Sequence, residues 1–389
     1  MSSKRYDYII AGAGLSGLSL AYRLIHSPLR DKKILVVDKT LAPANNKTWS
    51  FWHEGTPPFD ELIHKSWKQV KVVFDDQTIL QRIQNYTYHS IKSGDFSRAI
   101  IQELRSHPSV DLLEAPIISM KGNKSEATLQ TDKNTFTVSY IFQSCFTPPD
   151  LKNDSPHYPL IQHFLGWEIE TAQDKFDSST ITLMDFDTSF NDGLAFIYIL
   201  PQTPKKAMLE YTIFSERLKP KEFYEEKLAI YIHNKYNLGP LDYKKHRTEY
   251  GEIPMQDNRY APWYAPRIVN MGTVGGLTKP STGYTFSRIQ QHVGAIINRL
   301  IDEGKPAPPH RSSFRYRAYD LWLLQIIHDH PKKALEIFRQ LFSNNSMDEI
   351  FHFLSEENTL PQDFKTMSRV SYPPFFNAMW KTKKRLFEL

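Results

Sequence analysis

The stretch Gly12-Ala13-Gly14-Leu15-Ser16-Gly17 constrains this chain more than any other. It follows an apolar β-type run, Asp7-Tyr8-Ile9-Ile10-Ala11, and opens a helix-like stretch, Leu15–Ile25. A second β-rich run then ends in Asp38, about twenty residues after the last glycine. Strand, helix and strand in this order predict a βαβ unit with a right-handed crossover. The first glycine permits the tight turn, the second lets backbone approach a pyrophosphate, and the third lets helix and strand pack closely. At the helix start, Leu15, Ser16 and Gly17 bring N–H donors and a positive dipole end to the phosphates. Asp38, with Lys39 beside it, offers a carboxylate to ribose hydroxyls and would repel a 2′-phosphate, which argues against NADP at this site. The motif alone does not separate FAD from NAD.

A second cluster, Gly272-Thr273-Val274-Gly275-Gly276-Leu277, lies after an apolar strand and before a helix. A late strand–turn–helix completing an N-terminal Rossmann unit is the arrangement of flavoproteins, with N–H groups of Gly275 and Gly276 facing the flavin. The following Lys279-Pro280-Ser281-Thr282-Gly283-Tyr284 is expected beside it, where Gly283 gives close approach and Lys279 offsets flavin or phosphate charge. An unrelated surface turn and an exposed lysine are the plain alternatives.

Between these clusters the pattern changes. Residues 43–60 read as a loop, 69–90 as strands and 95–106 as a helix, and 110–145 as a β-meander. Residues 151–160 mark a boundary. Repeated β-type runs fill 161–215, with mostly antiparallel neighbours expected. Helices are expected at 216–234 and 285–303, then a Pro-rich linker at 305–313 and a helical tail. The fold class is therefore mixed α/β: a Rossmann-like dinucleotide domain, an inserted antiparallel sheet domain and a C-terminal helical region.

Composition excludes several classes. The chain has a single cysteine, so no disulfide framework or Cys-based metal site arises. A net charge of +5, from 48 Lys+Arg against 43 Asp+Glu, shows no basic stripe suited to nucleic acid. No run reaches the ~18 apolar residues needed to span a bilayer, and no signal peptide is read. Aromatic content of 13% suits a large apolar ligand, although a large core uses the same residues.

Several segments resemble the lycopene cyclases of bacteria and plants: Thr48-Trp49-Ser50-Phe51-Trp52, Gln162 through Glu168, Leu183-Met184-Asp185-Phe186, Phe196 through Pro201, Met208-Leu209-Glu210-Tyr211-Thr212, Gly251 through Met255, and Gly275-Gly276 through Tyr284. The resemblance implies a two-domain FAD protein with a fold like that of aromatic hydroxylases and geranylgeranyl reductases. The expected division assigns 1–65, 91–150 and 263–304 to FAD binding. Residues 66–90 and 151–262 go to the substrate domain, and 305–389 to the linker and helical region. The implied reaction closes the linear ends of lycopene into β-rings, giving γ- and β-carotene, as a net isomerisation that requires reduced FAD, with NADPH or NADH as reductant. The family's acidic Phe-Leu-Glu-Glu-Thr motif of plant members matches Met208 to Thr212, so Glu210 takes the first carboxylate's place and Tyr211 replaces the second.

Ring closure begins by protonating a terminal C=C, which needs an acid kept neutral near pH 7. By strand alternation Glu210 shares a face with Met208 and Thr212, and it is the first candidate for general acid. A salt-bridged or solvent-facing strand Glu is the alternative. Asp185 is the second candidate, as tuner or proton acceptor, and Glu168 a weaker third. Trp49, Phe51, Trp52, Trp167, Phe186 and Tyr198 are candidates to line the substrate site and stabilise a cation through their ring faces. Because lycopene dissolves in membranes, peripheral contact with the inner face of the cell membrane is expected, with cytoplasmic localisation. The basic, aromatic tail from Trp380 to Phe387, with Phe375-Phe376 upstream, is the candidate anchor. Two other readings remain: a redox flavoenzyme of the same fold (a hydroxylase or prenyl reductase), and a non-catalytic pigment- or flavin-binding protein.

Overall fold

The computed structural model describes residues 6–148, 155–188 and 193–388. The N-terminal residues 1–5 and the first part of the expected boundary at 151–160 lie outside the described residues.

The Gly-rich start folds as its pattern requires. Strand β1 (Tyr8–Ala11), helix α1 (Leu15–Ile25) and strand β2 (Ile34–Asp38) form the βαβ unit, with β1 and β2 parallel from Tyr8↔Ile34 to Ala11↔Val37. The sheet extends in the order β18-β19-β12-β1-β2-β8, using β8 (Val110–Glu114), β12 (Tyr140–Gln143), β18 (Trp263–Ala265) and β19 (Ile268–Asn270). On one face, Ile10, Ile34, Val36 and Phe142 pack against α1, α2 (Ser93–Ser106) and α4 (Phe286–Glu303). On the other, Ile9, Ala11, Leu35 and Val37 pack against the meander β9 (Ile117–Gly122), β10 (Ala127–Thr131) and β11 (Thr135–Val138). Alternation along two strands thus builds both layers. Of the meander expected over 110–145, the first and last strands belong to the parallel sheet, because β8 and β12 pair with β2 and β1.

The large sheet has the order β17-β13-β16-β15-β14-β5-β6. Its strands are β5 (Gln69–Val73), β6 (Thr78–Arg82), β13 (Leu160–Thr171), β14 (Thr180–Asp185), β15 (Leu194–Thr203), β16 (Lys206–Ser215) and β17 (Tyr243–Met255). Its pairs are antiparallel except β14 with β5. Helix α3 (Lys221–Tyr236) covers one face, setting Tyr224, Leu228, Tyr231 and Ile232 against Leu165, Ile197, Leu209 and Ile213. The other face meets the C-terminal helices α5 (Phe314–Asp329), α6 (Pro331–Asn344), α7 (Met347–Leu354) and α9 (Pro373–Glu388), while α8 (Leu360–Met367) packs beside α7.

One expected loop is a strand. Residues Thr48–Glu54 form β3, paired antiparallel with β7 (Tyr86–Lys92), which also pairs with β4 (Lys65–Trp67). The Pro, Asn and Gly around this segment read as loop residues, but the aromatic run inside it buries Phe51 and Trp52 once β7 is alongside. This small sheet carries Thr48 and Trp49 to a cavity that the seven-stranded sheet and the C-terminal helices also line.

Candidate active site

The dinucleotide cradle is built by close backbone contacts. Gly12 has φ 109°, and its N–H donates to the Val37 carbonyl at 2.8 Å. A Cβ on Gly17 would lie 1.9 Å from the Gly12 oxygen, so α1 sits against the turn only because that side chain is missing. Gly14, the N-cap of α1, has open space where a side chain would be, no capping side chain and no acid in the following turn. The Ala13 N–H donates to Asp38 Oδ2 at 2.6 Å, while Lys39 is exposed. The late glycines approach this start: a Cβ on Gly272 (φ 61°) would come 2.6 Å from Ser16 Oγ. Open donors at a helix start, an Asp at the end of β2 and the absent side chains fit an FAD-type dinucleotide. Gly275 and Gly276, whose N–H groups were expected to face the flavin, donate within the turn to the Met271 and Thr273 carbonyls. Side chains there would strike the Asn270 carbonyl and the Tyr260 ring. Gly283 (φ 75°) makes room for the Gln162 amide and lines a cavity against the large sheet.

That cavity, ≈ 290 Å³, lies between the large sheet, the start of β3, residues 279–286 and the C-terminal helices, and its walls are mostly apolar and aromatic. Glu210 opens into it. On β16, Met208, Glu210, Thr212 and Phe214 turn away from α3, as alternation predicts, leaving the Glu210 side chain 7% exposed. Its cross-strand neighbours are Tyr198 on β15 and Gly166 on β13. Burial first, then the negative charge of Glu249, pushes the Glu210 carboxyl well above the usual carboxylate range, with Arg247 pulling weakly the other way. Burial therefore favours the protonated form of this acid. Tyr198 faces the same space, and its hydroxyl meets that of Tyr88 at 2.8 Å. Burial keeps both phenols far above their ordinary range and pushes Tyr284 up to about 12, so this wall stays uncharged.

Glu249 was not anticipated. It lies on β17, directly across Gly166 from Glu210. The Thr48 N–H (2.6 Å), Thr48 Oγ1 (2.8 Å) and Arg247 Nη1 (3.1 Å) all donate to it. Only the register of three strands reveals this neighbour, since thirty-odd residues of sequence and helix α3 intervene.

Trp49 and Tyr198 line the cavity as expected. Phe51 and Trp52 stand behind its wall. Phe51 stacks on Phe286 at 4.0 Å, Trp52 stacks on Phe351 at 4.5 Å, and the Trp52 Nε1–H donates to Ser355 Oγ at 2.8 Å. The remaining expectations are corrected. Asp185 points to the α3 side, where its Oδ2 accepts from the Tyr231 hydroxyl at 2.7 Å and lies 3.2 Å from Lys235 Nζ. Strict alternation from Leu183 would have aimed it into the cavity, but β14 shifts register between Thr182 and Asp185 and turns it over. Trp167 also faces α3's side, with Lys245 Nζ 3.3 Å above its ring. Phe186 is core, stacked between Phe74 and Phe338. Glu168 is an ion-pair hub. Burial alone would raise its carboxyl, but Lys206 (2.8 Å), Gln202 and Lys92 (3.0 Å) hold it down at about 2.

Lys279 is not exposed. It is buried, 2.9 Å from both Asp320 and Glu356, and Glu356 also takes Arg288 at 3.0 Å. Replacing Lys279 by Met leaves the buried Asp320 without a cation and Glu356 with Arg288 alone. The expected cost is ~3–5 kcal/mol, read as a lower midpoint in urea unfolding.

The family model described as lycopene cyclase protein matches residues 7–380. The chain is 23% identical over 317 residues to the chloroplastic lycopene beta cyclase of Nicotiana tabacum, covering 76% of this chain but only 60% of that protein. It is 25% identical over 296 residues to the lycopene beta-cyclase of Pantoea ananas, covering 72% of this chain and 71% of that one. Among solved structures, a geranylgeranyl bacteriochlorophyll reductase-like protein from Thermoplasma acidophilum superposes with TM-score 0.58 at 11% identity, covering 100% of this chain and 98% of that one. A variant of the halogenase PltM in complex with FAD gives 0.60 at 10% identity, covering 99% and 92%. The fold is that of FAD-dependent flavoproteins.

Proposed function

Because the chain belongs to the lycopene cyclase family, we propose that it closes the linear ends of lycopene into β-rings by acid–base chemistry with no net redox change, giving γ- and then β-carotene. The observation that carries this reading is the buried Glu210 carboxyl opening into an apolar, aromatic cavity, where burial favours its acid form. Donation of the Glu210 proton to a terminal C=C forms a C–H bond as the O–H bond breaks. The neighbouring double bond closes on the cation, and loss of a ring proton leaves the final alkene. Aromatic faces such as Trp49 and Tyr198 favour the cation by ~0.5–2 kcal/mol each without adding to it as water would. Gly12, Gly14, Leu15, Ser16, Gly17 and Asp38 would hold FAD, reduced by NADPH or NADH. When bound, the reduced flavin supplies an electron-rich, negatively charged group that favours a developing carbocation.

The substrate's solubility implies a membrane partner. No helix among the described residues is long and apolar enough to cross a bilayer. Helices α8 and α9 expose Leu360, Phe364, Phe376 and Trp380, while Met367 of α8 and Phe375 of α9 line the cavity. We place the inner membrane face against this surface. The basic tail contributes less than its sequence suggests, because Arg385 is buried with its Nε donating to Asp257 at 2.6 Å. Changing Phe376 and Trp380 together to Ser removes two large apolar groups from the interface. At ~1.5–3 kcal/mol for each buried side chain, binding to anionic phospholipid vesicles is expected to fall at least about tenfold in a co-sedimentation assay.

Expression in a lycopene-accumulating bacterium tests the activity. The expected pigments carry β-rings with unchanged mass. Unchanged lycopene beside a folded, flavin-loaded chain contradicts the reading. Oxygen uptake or one nicotinamide oxidised per product favours the redox alternative.

A further inference from the structure

We infer that Glu249 is a positioning residue for Glu210: a fixed negative charge set across Gly166 that reserves the proton of the pair for the carboxyl facing the cavity. The inference rests on the acid role proposed for Glu210.

The geometry is a row across three strands. Glu210 on β16 and Glu249 on β17 are both register partners of Gly166 on β13, so all three share one face of the sheet. A Cβ on Gly166 would come 2.5 Å from Glu210 Cγ, which shows that the Glu210 side chain leans over the glycine, toward β17. Two buried carboxyls that face each other across one glycine disfavour each other's ionisation.

The donors decide which one carries the charge. Glu249 has the two Thr48 donors and Arg247, and Arg247 Nη2 in turn donates to Thr48 Oγ1 at 2.7 Å. Among the described residues, no group hydrogen-bonds the Glu210 carboxyl. Burial raises the Glu249 carboxyl on balance too, with Arg247, Thr48 and Lys47 pulling it back in part, whereas Glu210 has only Arg247 to do so. The other charges near the pair are Glu168, held by Lys92 and Lys206 and lying 3.6 Å from Arg247 Nε, while the facing Tyr198 and Tyr88 are neutral. Glu249 is 2% exposed and does not line the cavity, so it acts through its neighbour. The arrangement also serves the return step. Once Glu210 has given up its proton it stands beside a second anion, which makes it the stronger base for the proton that the cyclised cation releases.

The test is the pH profile of kcat for the flavin-loaded enzyme on lycopene in liposomes. Activity requires protonated Glu210, so it is lost as pH rises through that group's pKa. Glu249→Gln is isosteric but uncharged, and its alkaline limb is expected to move to lower pH by ~1 unit or more. Glu249→Asp keeps the charge and restores the limb toward native. A native profile in Glu249→Gln, with Glu210→Gln inactive, overturns the inference and leaves the acid reading standing. Near-native turnover in Glu210→Gln removes the acid reading itself. Should Glu249→Gln fail to fold, the carboxyl carbon resonances of the native chain decide. A Glu249 resonance in the ionised range at neutral pH is expected, and a protonated one overturns the inference.

Discussion

Replacing Glu210 by Gln abolishes ring closure while leaving FAD bound. A positioned general acid contributes ~10²–10⁴-fold, and here no substitute stands ready. Lys279 and Asp320, the other ionisable groups with opposite charges on the cavity wall, are already paired with each other. The phenols of Tyr88, Tyr198 and Tyr284 are held far too weakly acidic to protonate carbon. Turnover is therefore expected to drop at least ~10³-fold. Flavin binding survives because the Gly12–Gly17 cradle belongs to a different sheet from β16. The same variant changes stability with a defined sign. A carboxyl whose folded pKa lies above its unfolded value of ~4.3 binds more protons in the folded state. Its contribution is intact below the unfolded pKa and declines as pH rises toward the folded one. Relative to native, Glu210→Gln should then gain stability as pH increases from about 4.3, measured by urea unfolding at several pH values. Equal pH slopes for the two chains would show that Glu210 is not perturbed.

Adding one methyl at Gly17 should cost the cofactor. The new Cβ would sit 1.9 Å from the Gly12 carbonyl oxygen and 3.0 Å from Ile10 Cγ2. Backbone cannot be cleared by a rotamer change, so α1 must shift off β1, and the N–H groups at its start move with it. Overpacking of this kind costs ~1–3 kcal/mol in stability. The larger effect falls on binding, since the phosphate donors lose their alignment. Purified Gly17→Ala is expected without flavin absorbance and with a lowered unfolding midpoint. Native flavin content would contradict the assignment of this turn.

The dinucleotide half was readable in the sequence because its signals are local: period-two apolar runs, three glycines at fixed offsets and an acid at a strand end. The cavity half was readable only where alternation holds. It placed Glu210 with Met208 and Thr212, and β16 has no bulge there. It failed at Asp185, where a register shift in β14 inverts the side chain. Trp167 was misjudged for another reason. Parity sets it opposite Gly166, but the pairing with β16 and the position of α3 decide which face meets the cavity. Glu249 is a relation among three strands, and no local pattern encodes that relation. The ion pairs of Lys279 had no local signal, since its two carboxylate partners come from α5 and the turn after α7, far along the chain.

Everything proposed for the reaction depends on the protonation of one side chain. Infrared difference spectra between the native chain and Glu210→Gln, recorded at neutral pH, report it directly. The expected difference contains the carbonyl stretch of a protonated carboxyl, present in the native chain and absent from the variant. A difference that shows only the paired stretches of an ionised carboxylate would contradict the account.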